Sequence, residues 1–164
     1  MENQLIERLI AGKVNIPELL SKLTDDDLYK LFLESIKIPQ QVQELVLKQI
    51  IETSRDTEFG RKYGFQKIRD AESFREQLPL SEWANYEEYS ERMAEGIPDI
   101  LFPGKSKYFI KTSGTSGNKP KMIPESELGA KAKQIVTRLR FVEMALSSPC
   151  IRDNGYIFPL SNSY

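Results

Sequence analysis

Thr112-Ser113-Gly114-Thr115-Ser116-Gly117-Asn118-Lys119-Pro120-Lys121 is the segment whose residue types a fold alone does not require. Gly114 and Gly117 let the backbone take positive φ and bring N–H groups close to a ligand. The hydroxyls of Thr112, Ser113, Thr115 and Ser116 can donate hydrogen bonds to phosphate oxygens, and Lys121 adds a positive point charge. A polyphosphate needs many donors around several oxygens at once, and this loop supplies them without a metal-binding side chain. It is not a Walker A loop, because the Gly-Lys-Ser/Thr ending is absent, and it is not a Rossmann fingerprint. Lys105, Lys107, Lys111, Lys119 and Lys121 all fall between Gly104 and Pro124 with no carboxylate among them. Composition leaves two readings open: a phosphate-binding loop, or a hydrophilic hairpin tip with solvated lysines.

The chain has 164 residues, no His and one Cys, Cys150. Internal disulfides, the usual zinc ligand sets and every imidazole-based triad or proton shuttle are thereby excluded. Without a His to activate it, Cys150 reads as a structural thiol rather than a nucleophile. With 23 Lys plus Arg against 24 Asp plus Glu, the chain lacks the basic excess of a nucleic-acid binder. Its N-terminus, charged and then amphipathic, lacks the apolar run of a signal peptide, and no stretch approaches the ~18 apolar residues of a membrane span. The expectation is a cytoplasmic protein with neither nucleic acid nor membrane as partner, large enough to bury roughly 70% of its unfolded surface.

The elements that must carry the loop are mostly helical. Leu19, Leu20 and Leu23 lead into Thr24-Asp25-Asp26-Asp27, where Thr24 is an N-cap and the carboxylates sit favourably on the helix dipole. That acidic run lacks the glycine and distal Glu of a calcium loop. After Pro39, Val42, Leu45, Val46, Leu47, Ile50 and Ile51 form a helical stripe that should be buried. Asp56, Gly60 and Gly64 break the pattern, and Tyr63-Gly64-Phe65 reads as a turn with its aromatics folded back. Two more helical pieces follow, Ala71 to Gln77 and Ser81 to Glu95, separated by Pro79. Beyond Gly96, Tyr108-Phe109-Ile110 and Lys121-Met122-Ile123 predict a β-hairpin with a long tip. Ser126 then caps a helix carrying Leu128, Ala132, Ile135, Val136, Leu139, Val142 and Leu146, stopped by Ser147-Ser148-Pro149; Gly155 to Phe158 reads as a strand.

Thr112 to Gly117 followed by Lys121 resembles the phosphate loop of the adenylate-forming superfamily, which includes acyl-CoA synthetases and luciferases. The surroundings narrow the likeness: Val42-Gln-Glu-Leu-Val-Leu47, Thr57-Glu-Phe-Gly-Arg-Lys-Tyr-Gly-Phe65, Phe74 with Pro79-Leu80, Tyr86-Glu-Glu-Tyr89, Arg92-Met93 with Gly96, and Ile100-Leu101. In that order, ahead of the loop, they resemble the Gretchen Hagen family of auxin-responsive acyl-acid amido synthetases. The loop's tail, Asn118-Lys119-Pro120-Lys121, is closer to the superfamily's Pro-Lys ending than to the Glu-rich tail of plant members.

The resemblance implies an α/β fold, here α+β: a helical region over 1–96, then the start of an adenylation core over 97–164 with its phosphate loop at 112–121, together a single incomplete domain. It implies a ligase that adenylates a carboxylic acid with ATP and passes the acyl group to an amine or amino acid. Thr112, Ser113, Gly114, Thr115, Ser116, Gly117 and Lys121 would hold the ATP phosphates, and Mg²⁺ would accompany ATP without a protein ligand here. Family members are much longer, so this chain reads as an N-terminal fragment, inactive alone. An apolar helix face and a strand near Tyr156 would then lack their neighbours, which favours a homo-oligomer. The alternative is a non-catalytic helical interaction or anion-binding module. Trp83, Tyr86 and Tyr89 would be its partner patch, although at helical spacing they read as core. Glu87 and Glu88, being adjacent, point to different helix faces and do not form an acid–base pair.

Overall fold

The computed structural model describes residues 16–113 and 120–148. The expected strand over Gly155 to Phe158, the Pro149 stop and Cys150 lie outside the described residues.

Seven helices and one antiparallel hairpin make up this part of the chain, an α+β arrangement. Helix α1 spans Ile16–Ser21 and α2 spans Asp25–Ser35. Thr24 caps α2 as its sequence predicts: its hydroxyl accepts from the Asp27 N–H at 3.2 Å, with Asp25, Asp26 and Asp27 in the first turn. Helix α3, Pro39–Ser54, starts on a proline whose missing N–H costs nothing at that position. Its apolar stripe is only partly buried. Ile51 faces the core, whereas Val46 and Ile50 are 44% and 46% exposed.

The turn expected at Tyr63-Gly64-Phe65 is present, with Gly64 left-handed (φ 61°), but Gly60, read as a break in the helical pattern, lies inside a helix, α4, Glu58–Lys62. The reason is steric. A Cβ on Gly60 would lie 2.1 Å from the Ser54 carbonyl oxygen, so only glycine lets α4 start pressed against the end of α3. Buried Thr57 stitches the junction, donating to the Ser54 oxygen at 2.7 Å and accepting from the Gly60 N–H at 3.0 Å. The first N–H groups of α4, which have no partner within the helix, are capped from far along the chain: Glu58 N–H donates to Asp99 O at 2.8 Å and Phe59 N–H to Ile100 O at 3.0 Å. Asp99 holds that loop closed through the Gly104 N–H, 2.7 Å from its Oδ1, in a left-handed conformation (φ 59°) that Asp tolerates better than most residues.

Helix α5, Ala71–Gln77, matches its sequence expectation, and Asp70 accepts from the Ser73 N–H as its cap. The helix expected over Ser81 to Glu95 divides at Tyr86 into a 3₁₀ turn, Trp83–Asn85, and helix α6, Glu87–Ala94. This division aims successive aromatics differently. Tyr89 is buried and Tyr86 packs against the same core, as read from their spacing, whereas Trp83, read as core with them, is only half-buried and is not among the side chains packed on that core. The core proper is Ile51, Phe59, Phe65, Ile68, Tyr89, Met93 and Ile100. Phe59 is its hub, meeting Phe65 and Tyr89 edge-on at 5.9 and 5.8 Å between centroids, geometries worth about 0.5–1.5 kcal/mol each beyond burial.

Strands β1, Tyr108–Lys111, and β2, Met122–Glu125, form the expected hairpin, and Phe109 of β1 packs onto the core. Helix α7, Glu127–Ser147, starts at Ser126, whose hydroxyl accepts from the Gly129 N–H at 2.9 Å. It crosses α1 and α2, where Arg138 reaches Asp25 at 2.6 Å and the Tyr29 hydroxyl donates to Glu143 at 2.5 Å. Between α1, α2, α3 and α7 lies an apolar groove of about 200 Å³ whose walls include Leu28, Phe32, Val42, Val46, Ile135 and Leu139. Val136, Met144 and Leu146 on α7 are exposed as well. Among the described residues no helix is long and apolar enough to cross a membrane.

Two outcomes test this scaffold. Gly60→Ala should lower stability by about 1–3 kcal/mol in urea unfolding, because the clash is with main chain that cannot rotate away; an unchanged midpoint would refute the close approach. The second concerns pH. Arg92 and Glu58 form a two-pronged pair at 2.7 and 2.8 Å, and that hydrogen-bonded guanidinium holds the Glu58 carboxyl below its usual range against a weaker opposing push from burial. A carboxyl with a lowered folded pKa contributes stability that is full above its unfolded value of about 4.3 and is lost as pH falls through the lower folded value. Unfolding midpoints measured downward from pH 5 should therefore fall more steeply for the wild type than for Glu58→Gln.

Candidate functional site

The hairpin register pairs Tyr108 with Glu125, Phe109 with Pro124, Ile110 with Ile123 and Lys111 with Met122. The next pair is Thr112 with Lys121. There the Thr112 N–H donates to the Lys121 carbonyl at 3.0 Å, and the Lys121 N–H returns to the Thr112 hydroxyl oxygen at 2.9 Å rather than to a main-chain carbonyl. The side chain thus closes the neck of the loop. A hydroxyl that accepts one bond keeps its own proton to donate, so Thr112 remains able to serve an anion. Ser113 follows, exposed, at the start of the tip. Gly114, Thr115, Ser116, Gly117, Asn118 and Lys119 lie outside the described residues.

The neck is held from behind by groups that sequence reading did not single out. Ser90 of α6, 1% exposed, donates its hydroxyl to the Met122 carbonyl, joining β2 to the buried face of that helix. Ser106 donates to Tyr108 O at 2.7 Å and accepts from the Glu125 N–H at 3.2 Å, which fixes the other end of the hairpin. Glu125 turns one carboxylate oxygen inward, 2.5 Å from the Lys133 ammonium, as an ion pair rather than an aligned hydrogen bond. The signal for Ser90 was its place beside Tyr89 and ahead of Met93 on the buried face of α6; nothing local marked Ser106.

The lysines disperse in three dimensions. Lys107 contributes, after the hydrogen-bonded Lys131, to holding the Glu127 carboxyl below its ordinary range, so the carboxylate-free stretch is answered by α7. Lys111 is exposed on β1. Lys121 is at the neck, its ammonium 5.7 Å from the centre of the Trp83 ring. Among the described residues no group of three or more His, Cys, Asp or Glu side chains is arranged to hold a metal ion.

Residues 28–155 match the GH3 family N-terminal domain. The chain belongs to the GH3 family. It is 28% identical over 125 residues to a jasmonoyl-L-amino acid synthetase of Nicotiana attenuata, covering 75% of this chain and 22% of that protein. It is 31% identical over 116 residues to an indole-3-acetic acid-amido synthetase of Arabidopsis thaliana, covering 70% of this chain and 19% of that one. The chain thus spans about a fifth of the length of these curated relatives. GH3 membership agrees with the resemblance carried by the motif order. Within those motifs the structure joins Glu58 to Arg92, and Ile100 to the start of α4.

Thr112→Val keeps shape but removes the acceptor at the neck. Amide exchange at Lys121 should quicken and stability should drop by about 0.5–1.5 kcal/mol, with Thr112→Ser restoring both. Unaltered exchange in the Val variant would show that the hydroxyl does not close the loop.

Proposed function

We propose that this chain is the phosphate-binding part of an acyl-acid amido synthetase, a ligase that activates a carboxylic acid with ATP and transfers the acyl group to an amine or amino acid. A carboxylate oxygen attacks the α-phosphorus and pyrophosphate departs; the amine then attacks the acyl carbon and AMP departs. The observation that carries this reading is the pairing of Thr112 with Lys121 at the neck of a hairpin whose residues fall inside the GH3 match. That pairing bonds the Thr112 hydroxyl to the main-chain N–H of Lys121, nine residues on, and so closes the neck of the glycine- and hydroxyl-rich stretch between them.

In this reading Thr112, Ser113, Thr115 and Ser116 donate to the β- and γ-phosphate oxygens, Gly114 and Gly117 let main-chain N–H groups approach, and Lys121 offsets the charge. The described donor set is hydroxyl, amide and ammonium, which suits phosphate oxygens. Mg²⁺ would arrive with the nucleotide, and its ligands would be phosphate oxygens and water. The helical part, 1–96, braces the loop, and 97–164 begins the adenylation core. Partners are the acid and the amine in a cytoplasmic setting, with self-association through the exposed apolar face of α7.

Titration calorimetry with ATP tests it. The chain should bind ATP, and Lys121→Ala should weaken binding about ten- to a hundredfold, the range for a charge-assisted contact. Equal or absent binding in both proteins would instead favour a non-catalytic interaction module.

A further inference from the structure

Lys121 is fixed at its backbone and steered at its tip by different parts of the chain. Its N–H is bound to Thr112, and the next residue's carbonyl is held by Ser90, so its Cα is pinned between two hydrogen bonds. What remains free is a four-carbon stem whose rotamer freedom would otherwise scatter the ammonium. The ammonium instead lies 5.7 Å from the centroid of Trp83, the sole tryptophan of the sequence. The backbone that carries the indole is fixed in turn. The Glu82 N–H donates to Asn85 Oδ1 at 2.8 Å and the Tyr86 N–H to the Trp83 carbonyl at 2.8 Å, closing the short turn that presents the ring.

The chemistry of this partner matters. Lys131, Lys133 and Lys37 are each paired with a carboxylate, whereas among the described residues no carboxylate lies within ion-pair distance of Lys121. A carboxylate would neutralise the ammonium and repel an arriving phosphate. An indole face attracts a cation through its quadrupole, carries no net charge, and leaves the other side of the ammonium open.

We propose that Trp83 is a positioning residue for phosphate binding, holding the Lys121 ammonium beside the loop neck without neutralising it. This rests on the phosphate-loop reading above. Trp83 is half-buried and is not among the side chains that form the aromatic core or pack on it, so its replacement leaves Phe59 and its neighbours in place.

A double-mutant cycle on ATP binding tests the proposal, with circular dichroism checking the fold of each variant. Trp83→Leu should weaken ATP binding about two- to fivefold, Trp83→Phe less so, and neither should change the affinity that survives in a Lys121→Ala background. A ring that merely supported the fold would lower affinity equally in both backgrounds, and that additive result would overturn the proposal, as would wild-type affinity in Trp83→Leu. Should the Leu variant not fold, Trp83→Phe carries the same cycle, since its weaker ring keeps the shape. Absence of ATP binding by the wild type would overturn the phosphate-loop reading and this inference together, whereas binding that ignores Trp83 overturns this inference alone.

Discussion

The path of contacts from the aromatic core to the hairpin depends on how closely α4 can press against the end of α3. Gly60 sets that distance, because its missing Cβ leaves room for the Ser54 carbonyl. Once the two helices meet there, Thr57 is buried with both of its hydrogen-bonding roles used, and Phe59 is delivered to the centre of the aromatic cluster. The same approach exposes the leading N–H groups of α4 to Asp99 and Ile100, which draws the 96–104 loop inward and starts the run into β1. Arg92 clamps α6 onto Glu58, and α6 in turn offers Ser90 to β2. A contact too short for a methyl group thus lies at the beginning of a chain of bonds that ends at Lys121.

Elements whose cues are local were legible in the residues. Thr24 and Ser126 act as caps because a short oxygen-bearing side chain ahead of a helix has a nearby amide to satisfy, and Ala71–Gln77 and the β-hairpin followed from equally local patterns. Gly60 was misread because a glycine that breaks a pattern and one that permits close packing look alike until the neighbouring carbonyl is seen. The stripe on α3 was read as wholly buried because periodicity reports which residues share a face, not how much of that face is covered. Glu58 with Arg92 and Ser90 with Met122 are non-local, and no spacing rule joins residues more than thirty positions apart. At the candidate site, the residue types of Thr112 and Lys121 were evident, but their direct bond required the register.

The lysine-rich stretch shows why a linear charge count misleads. Five lysines without an intervening carboxylate look like one basic patch. Folding hands Lys107 to the neighbourhood of Glu127, leaves Lys111 on a strand and puts Lys121 against an aromatic face.

The long-range cap on α4 also sets an order of events during folding. A five-residue helix cannot nucleate by itself, since fixing its first turn costs more than its own hydrogen bonds return. Its opening amides wait for carbonyls about forty residues downstream. On the ribosome, α2 and α3 can form as soon as they emerge, but α4 stays open until Ile100 has left the exit tunnel. The aromatic core around Phe59 can close only after that, and the hairpin, emerging next, finds its anchor on α6 already made.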